Sequence, residues 1–288
     1  MMREDADPPD AKWNDVNAKR EPLFLRSVVA AIALVSCAAG QSAYHDHPPS
    51  ASSSSTYSPE VGTGRDSLRH EVQDQCVVNW SQHQNPAPCE RVFLADAKTG
   101  NSGYAVLADR KGGAHYLLIP TQTMSGIESA ELLDSDAPNY FAEAWHARDL
   151  IIRYVGHAVP RTAIGLAVNT ARSRTQDQFH IHIECLRQDV FESLRTAAER
   201  VTDTWMPVSV AGSTYAALRI MGEGLDGSNP FELLATLKPE VRHHMGDYTL
   251  VAAGMLFKNG PGFIVLTGTG PTGELLLDPT CSVAGAGG

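Results

Sequence analysis

Between Gln178 and Cys185 the chain alternates strictly between polar and apolar side chains: Gln178, His180, His182 and Glu184 on one set, Phe179, Ile181, Ile183 and Cys185 on the other. A helix would scatter these two sets around its circumference. A strand, with its two-residue period, separates them onto opposite faces. The segment therefore predicts a sheet with a hydrophobic core on one side and two imidazoles on the other. Imidazoles on rigid strand geometry are costly to bury for structural reasons alone, so this face presents either a nucleophile or a pair of ligands.

The remaining periodicities supply the frame for that strand. Leu68, Val72 and Cys76 keep helical spacing. Val92-Phe93-Leu94, Tyr104 to Leu107 and Tyr116 to Ile119 read as strands separated by glycines, with Pro120 ending the third. Residues 139 to 155 carry a broad apolar stripe at period 3.6, which predicts one long helix. A strand at 164–168, a helix at 189–202, a strand at 215–220 and a helix at 230–237 follow. A hairpin with arms at 248–257 and 262–266 turns at Lys258-Asn259-Gly260-Pro261. Strands arriving in runs, with helices between some of them, predict an α+β fold built on an antiparallel sheet. With 288 residues and 43% hydrophobic side chains, the chain can bury one substantial core.

The first forty residues differ in kind. Lys19, Arg20 and Arg26 precede the apolar run from Val28 to Val35, and Ser36-Cys37-Ala38-Ala39-Gly40 follow. This is the order of an export signal or membrane anchor, residues 1–40, and it places everything after it outside the cytoplasm. Leu34-Val35-Ser36-Cys37 also fits a lipoprotein cleavage box, so lipidation at Cys37 and an uncleaved anchor both stand. Residues 41–64, with Ser52 to Ser55 and three prolines, read as a linker, and the globular domain as 65–288. The four cysteines beyond the leader, an even number in an exported domain, predict two disulfides. Cys76 and Cys89 enclose a short polar loop and suit each other, which leaves Cys185 for Cys281; buried free thiols are the alternative.

Upstream of the histidine strand, Asn169 to Gln176 contains Arg172 and Arg174 among small hydroxyl and amide groups. Guanidinium groups near imidazoles suit a phosphate. A neutral imidazole attacks phosphorus to give a phosphoramidate that water then cleaves, splitting one hard displacement into two. The residues call for no cofactor. The net charge of −10 argues against general nucleic-acid binding, which needs Lys and Arg on phosphates.

The segment Gln178-Phe179-His180-Ile181-His182-Ile183 resembles the histidine-triad signature, with glutamine in place of the first histidine. The resemblance implies a HIT-like fold with packed helices. It also implies that His180 is the nucleophile, His182 its neighbour, and Asn169 and Gln176 part of the phosphate-binding stretch together with Arg172, Arg174 and Thr175. Gln178 is then expected to be a fixed positioning group that bonds a neighbour or the phosphate. More narrowly, the chain resembles the bacterial CDP-diacylglycerol pyrophosphatases. That likeness rests on Asn85-Pro86-Ala87-Pro88-Cys89, Tyr116 to Thr121, Gly126 to Ser129, Trp145 to Asp149, Arg174-Thr175-Gln176, His180 to Ile183, Pro230-Phe231, His244-Met245-Gly246 and Cys281. It implies hydrolysis of CDP-diacylglycerol to CMP and phosphatidate at a membrane surface, through a nucleotidyl-histidine.

Two rival functions remain. The same chemistry could act on soluble nucleotide pyrophosphates. Alternatively His180 and His182 could ligate zinc, with His115, His146, His157 or Glu184 as a third ligand; Arg172 and Arg174 beside the ion would oppose that reading.

Overall fold

The computed structural model describes residues 64–95, 102–270 and 272–285. The predicted leader and nearly all of the linker lie outside them. No helix among the described residues is long and apolar enough to cross a membrane.

Ten strands among the described residues form one sheet, entirely antiparallel, as the strand-rich pattern predicts. They are β1 (Arg91–Phe93), β2 (Tyr104–Ala108), β3 (Tyr116–Pro120), β4 (Ile164–Val168), β5 (Ile181–Leu186), β6 (Met206–Val210), β7 (Ser213–Met221), β8 (Thr249–Phe257), β9 (Gly260–Gly268) and β10 (Leu277–Asp278). Their order across the sheet is β1-β2-β3-β5-β4-β8-β9-β7-β6, with β10 paired to the far end of β5. The histidine strand is thus central, flanked by β3 (Leu117 opposite His182) and by β4 (Gly165 opposite Glu184).

One face of the sheet packs on a single large core. Ile181, Ile183 and Cys185 of β5, with Phe179 just before it, pack there among the helices α2 (Tyr140–His146), α3 (Asp149–Val155) and α5 (Pro230–Ala235). The opposite face carries two separate apolar patches. Helix α4 (Gln188–Ala197) covers β6 to β9 with Val190, Leu194 and Ala197. Helix α1 is continuous through Ser67–His70, a π segment Glu71–Cys76, and Val77–His83; it covers β1 to β3 with Leu68, Val72 and Cys76. The polar side chains of β5 lie on this second face. Cys76 is bonded to Cys89, and Cys185 to Cys281.

The structure departs from the sequence expectations at several joints. The long helix predicted at 139–155 is two helices, broken at Ala147-Arg148, where the bonds shorten to the three-residue kind (Leu150 N–H to Ala147 O, 3.1 Å; Ile151 N–H to Arg148 O, 3.0 Å). The Arg148 guanidinium donates to the Trp145 carbonyl at 2.6 Å and stacks 4.5 Å from the Trp145 ring centre, which closes the first helix. The helix predicted at 189–202 ends at Ala197. The strand β6 was not anticipated, although its turn to β7, Ala211-Gly212 with both φ positive (47° and 81°), is a turn signal of the usual kind. Gly260 and Pro261, predicted as turn residues, begin β9, so the β8–β9 hairpin turns on Lys258-Asn259 alone.

Candidate functional site

Beside α1 the second face of the sheet is only partly covered, and Leu107 and Leu117 border an opening with polar groups around it. A cavity of about 210 Å³ opens there. Ser67, Leu68 and Glu71 of α1 form one wall; Asp109, Arg110 and Lys111 of the β2–β3 loop, with Glu274, form another. His180 and His182 lie along it with Thr175 and Gln176.

His180 sits just before β5, and its side chain is almost wholly buried. Its Nδ1 lies 2.8 Å from the backbone carbonyl of Gln178. A carbonyl only accepts, so Nδ1 carries the proton and Nε2 keeps its lone pair. Burial lowers the His180 pKa below that of a free imidazole, against a smaller opposing pull from the Gln178 carbonyl. The neutral form is therefore favoured at neutral pH.

Gln178 performs its positioning differently from expectation. Its side chain is fully buried away from the cavity lining, where Nε2 donates to the Pro120 carbonyl (3.0 Å) and the Gln122 carbonyl (2.8 Å). The side chain fastens the segment to the end of β3, and it is the backbone carbonyl of Gln178 that orients His180.

Behind His180 the face continues into a buried polar cluster. His182 Nδ1 lies 3.0 Å from His115 Nε2, and His182 Nε2 lies 3.3 Å from Asn169 Nδ2. Asn169 is fixed in turn, accepting from the Glu274 N–H at 3.1 Å and donating to Glu274 Oε2 at 3.2 Å. Glu184 Oε1 is 3.0 Å from His115 Nε2, yet out of line for a hydrogen bond, and it is buried without a donor. Burial, reinforced by the charges of Glu274 and Asp109, pushes the Glu184 carboxyl up to about 8. Burial also carries His182 well below the ordinary imidazole value, with His180 and His115 adding to it. His115, His182 and Glu184 each point a donor atom at common ground, the arrangement of a cation site.

The other predicted residues divide into two groups. Asn169, Thr175 and Gln176 come to the site, but Gln176 is tied to the start of α1: its Oε1 accepts from Ser67 Oγ (2.9 Å) and from the Leu68 N–H (3.0 Å). The arginines do not line the cavity. Arg174 pairs with Glu128 at 2.6 Å and Asp177 at 3.1 Å, and Arg172 is exposed. The cations at the cavity are instead Arg110 and Lys111, paired with Glu71 and Glu274 at 2.6 Å each. Sequence reasoning missed Asp109, Lys111 and Glu274 because they come from a loop and a 3₁₀ turn with no periodicity. Of the other candidate third ligands, His146 pairs with Asp226 at 3.0 Å and is exposed, as is His157. His115 and Glu184 are the two that the fold delivers.

A family model described as CDP-diacylglycerol pyrophosphatase matches residues 63–285. That span includes every described residue of the sheet, both disulfides and the whole cavity. The chain therefore belongs to the CDP-diacylglycerol pyrophosphatase family, hydrolases of a pyrophosphate bond.

Proposed function

We propose that His180 is the nucleophile of this hydrolase and that the reaction runs through a covalent nucleotidyl-histidine in the manner of histidine-triad enzymes. The Nε2 lone pair attacks the phosphorus bearing cytidine. The bond from that phosphorus to the bridging oxygen breaks, and phosphatidate leaves with the bridging oxygen and its electron pair. Water then attacks the same phosphorus, the P–N bond breaks, and the electron pair returns to Nε2 as CMP departs. The observation that supports this most is the Nδ1–H bond to the Gln178 carbonyl, which leaves Nε2 free on a fixed ring. Preset orientation is the part of the barrier that a protein can lower without moving during the reaction. His182 lines the same cavity, its ring centre 4.9 Å from that of His180, and its contacts with Asn169 and His115 hold it as a fixed neighbour of the reacting ring.

The same reading puts the domain at a membrane surface. The leader predicted at 1–40 would anchor it. Acyl chains would stay in the bilayer while the pyrophosphate enters the cavity.

The test is chemical trapping. The full chain is mixed with CDP-diacylglycerol radiolabelled in the cytidylyl phosphate and quenched in alkali, where phosphoramidates persist. Label on the peptide containing His180, and heavy oxygen from water appearing in CMP rather than phosphatidate, are the expected results. Label on another residue, or heavy oxygen in phosphatidate, overturns the assignment.

A further inference from the structure

The buried cluster behind His180 has more lone pairs than protons to join them. Asn169 donates to His182 Nε2, so in neutral His182 the proton is on Nδ1 and points to His115 Nε2. That nitrogen has one lone pair, and the contact with His182 uses it. Glu184 Oε1 lies 3.0 Å from the same nitrogen and finds no donor, while the residue is about 1% exposed. A carboxylate oxygen left without a partner in such a place is costly. Glu184 therefore either keeps its proton, as its raised pKa favours without an ion, or gives the proton up to a cation that meets both oxygen and imidazoles.

A cation resolves the mismatch. The three edges of the triangle His115 Nε2, His182 Nδ1 and Glu184 Oε1 are 3.0, 3.0 and 3.7 Å. Zinc bonds of about 2.0–2.1 Å to nitrogen and oxygen place the corners of a tetrahedron roughly 3.3 Å apart, inside that range. Both histidines also have a carboxylate at the far ring nitrogen: Asp109 Oδ1 is 3.8 Å from His115 Nδ1, and Glu274 Oε2 is 3.6 Å from His182 Nε2. Beyond hydrogen-bond reach, these charges still favour a proton on each far nitrogen. A metal at His182 Nδ1 moves the His182 proton to Nε2, where it faces Glu274 and displaces the Asn169 donor. The objection from the arginines falls away, because Arg172 is exposed and Arg174 is held by Glu128 and Asp177. The cation whose charge does reach the three groups is Lys111, and it is paired with Glu274 at 2.6 Å. The cavity lining itself has three carboxylates, Glu71, Asp109 and Glu274, against Arg110 and Lys111, an unfavourable balance for a pyrophosphate that a divalent ion would improve.

We propose that His115, His182 and Glu184 form a binding site for a divalent transition-metal ion, best suited to zinc, set behind the strand of His180. Two nitrogens and one oxygen from the protein leave a fourth position for water or another oxygen. His180 is not a ligand. The ion fixes the His182 ring and offsets the acidic wall, and the proposal holds whether or not His180 forms a covalent intermediate.

Purified full-length chain, stripped with chelator, is dialysed against zinc and then against zinc-free buffer, and retained metal is measured for wild type and for His180→Asn, His115→Gln and Glu184→Gln, each checked for folding by circular dichroism. The expected result is about one ion per chain in wild type and His180→Asn, and at most about a tenth of that in His115→Gln and Glu184→Gln. These two variants keep His45 and His47, so they also exclude an ion held in the linker. X-ray absorption of the wild-type zinc form, with two imidazole nitrogens in its shell, carries the test if a variant fails to fold. No retained zinc in wild type, equal retention in the folded variants, or a shell without two imidazoles overturns the site.

Discussion

Helices α1 and α4 cover the same face of the same sheet, and they do so by different means. Helix α4 lays Val190, Leu194 and Ala197 onto an apolar floor from β6 to β9, with Val208, Val251, Ile264 and Leu266 among its partners. Helix α1 meets a smaller patch and depends on specific fastenings: the Cys76–Cys89 bond, the clasp of Gln176 on Ser67 and Leu68, and the ion pair of Glu71 with Arg110. The first cover is dry and holds by area; the second borders a cavity and holds by polar and covalent ties. Burial is non-directional and closes every gap that it can. A wall that must stay open to a polar substrate needs directional bonds instead.

That contrast can be broken by experiment. The largest effect is expected at the cavity: His180→Asn should lower turnover by several orders of magnitude while the thermal midpoint stays close to wild type, measured by CMP release and calorimetry. Turnover within tenfold of wild type would remove His180 from the chemistry. Under α4, Leu194→Ala should cost about 2–5 kcal/mol in denaturant unfolding with kcat and KM unchanged below the transition; a raised KM would mean that the two covers are mechanically coupled. Replacing Cys76 and Cys89 together by alanine should cost about 2–4 kcal/mol and, unlike Leu194→Ala, raise KM, because α1 is a wall of the cavity. An unchanged KM would show that the polar clasp alone keeps α1 in place.

The smallest expected effect is in pH. His180 must be neutral to attack, and burial holds its pKa below the free value of 6.5. Activity is therefore present above the folded pKa and lost as pH falls through it, so the acid limb of kcat/KM should lie below 6.5. A limb at or above 6.5 contradicts the buried setting of the ring. Buried His115, His180 and His182 shift the same way. The unfolded chain binds protons on these rings below pH 6.5 that the folded chain refuses, so their contribution to stability declines as pH falls through that value. Glu184 opposes this, because its raised pKa favours the folded state at acid pH; in Glu184→Gln the decline should be steeper.

The contrast also explains what the sequence discloses. The strand of His180 and the helix α1 were legible because alternation and 3.6-residue spacing are local, and the pairing of Cys76 with Cys89 because its loop is short. The split of residues 139–155 was not, since it depends on Arg148 stacking over Trp145, a contact that the apolar stripe conceals. At the cavity the histidines announced themselves by pattern. The arginines of the 172–174 loop were read as phosphate ligands from nearness in sequence, whereas in space Arg174 faces Glu128, 46 residues away. Glu274 reaches Asn169 across 105 residues, and no window of sequence links them. Gln178 was rightly placed beside His180, but its side chain turns to the carbonyls of Pro120 and Gln122, which belong to a different strand's end.

The cavity is closed by residues from both extremities of the domain: Ser67 and Glu71 near its beginning, Glu274 near its end, with Cys281 beyond. A chain that is still being made has His180 long before it has Glu274 or the partner of Cys185. The polypeptide therefore acquires its last wall after the histidines, and an emerging chain has His180 without a complete chamber around it. The order of synthesis thus runs from one wall, through the histidines, to the residue that shuts the chamber, and a truncation before Glu274 would leave the histidines in place with one side open.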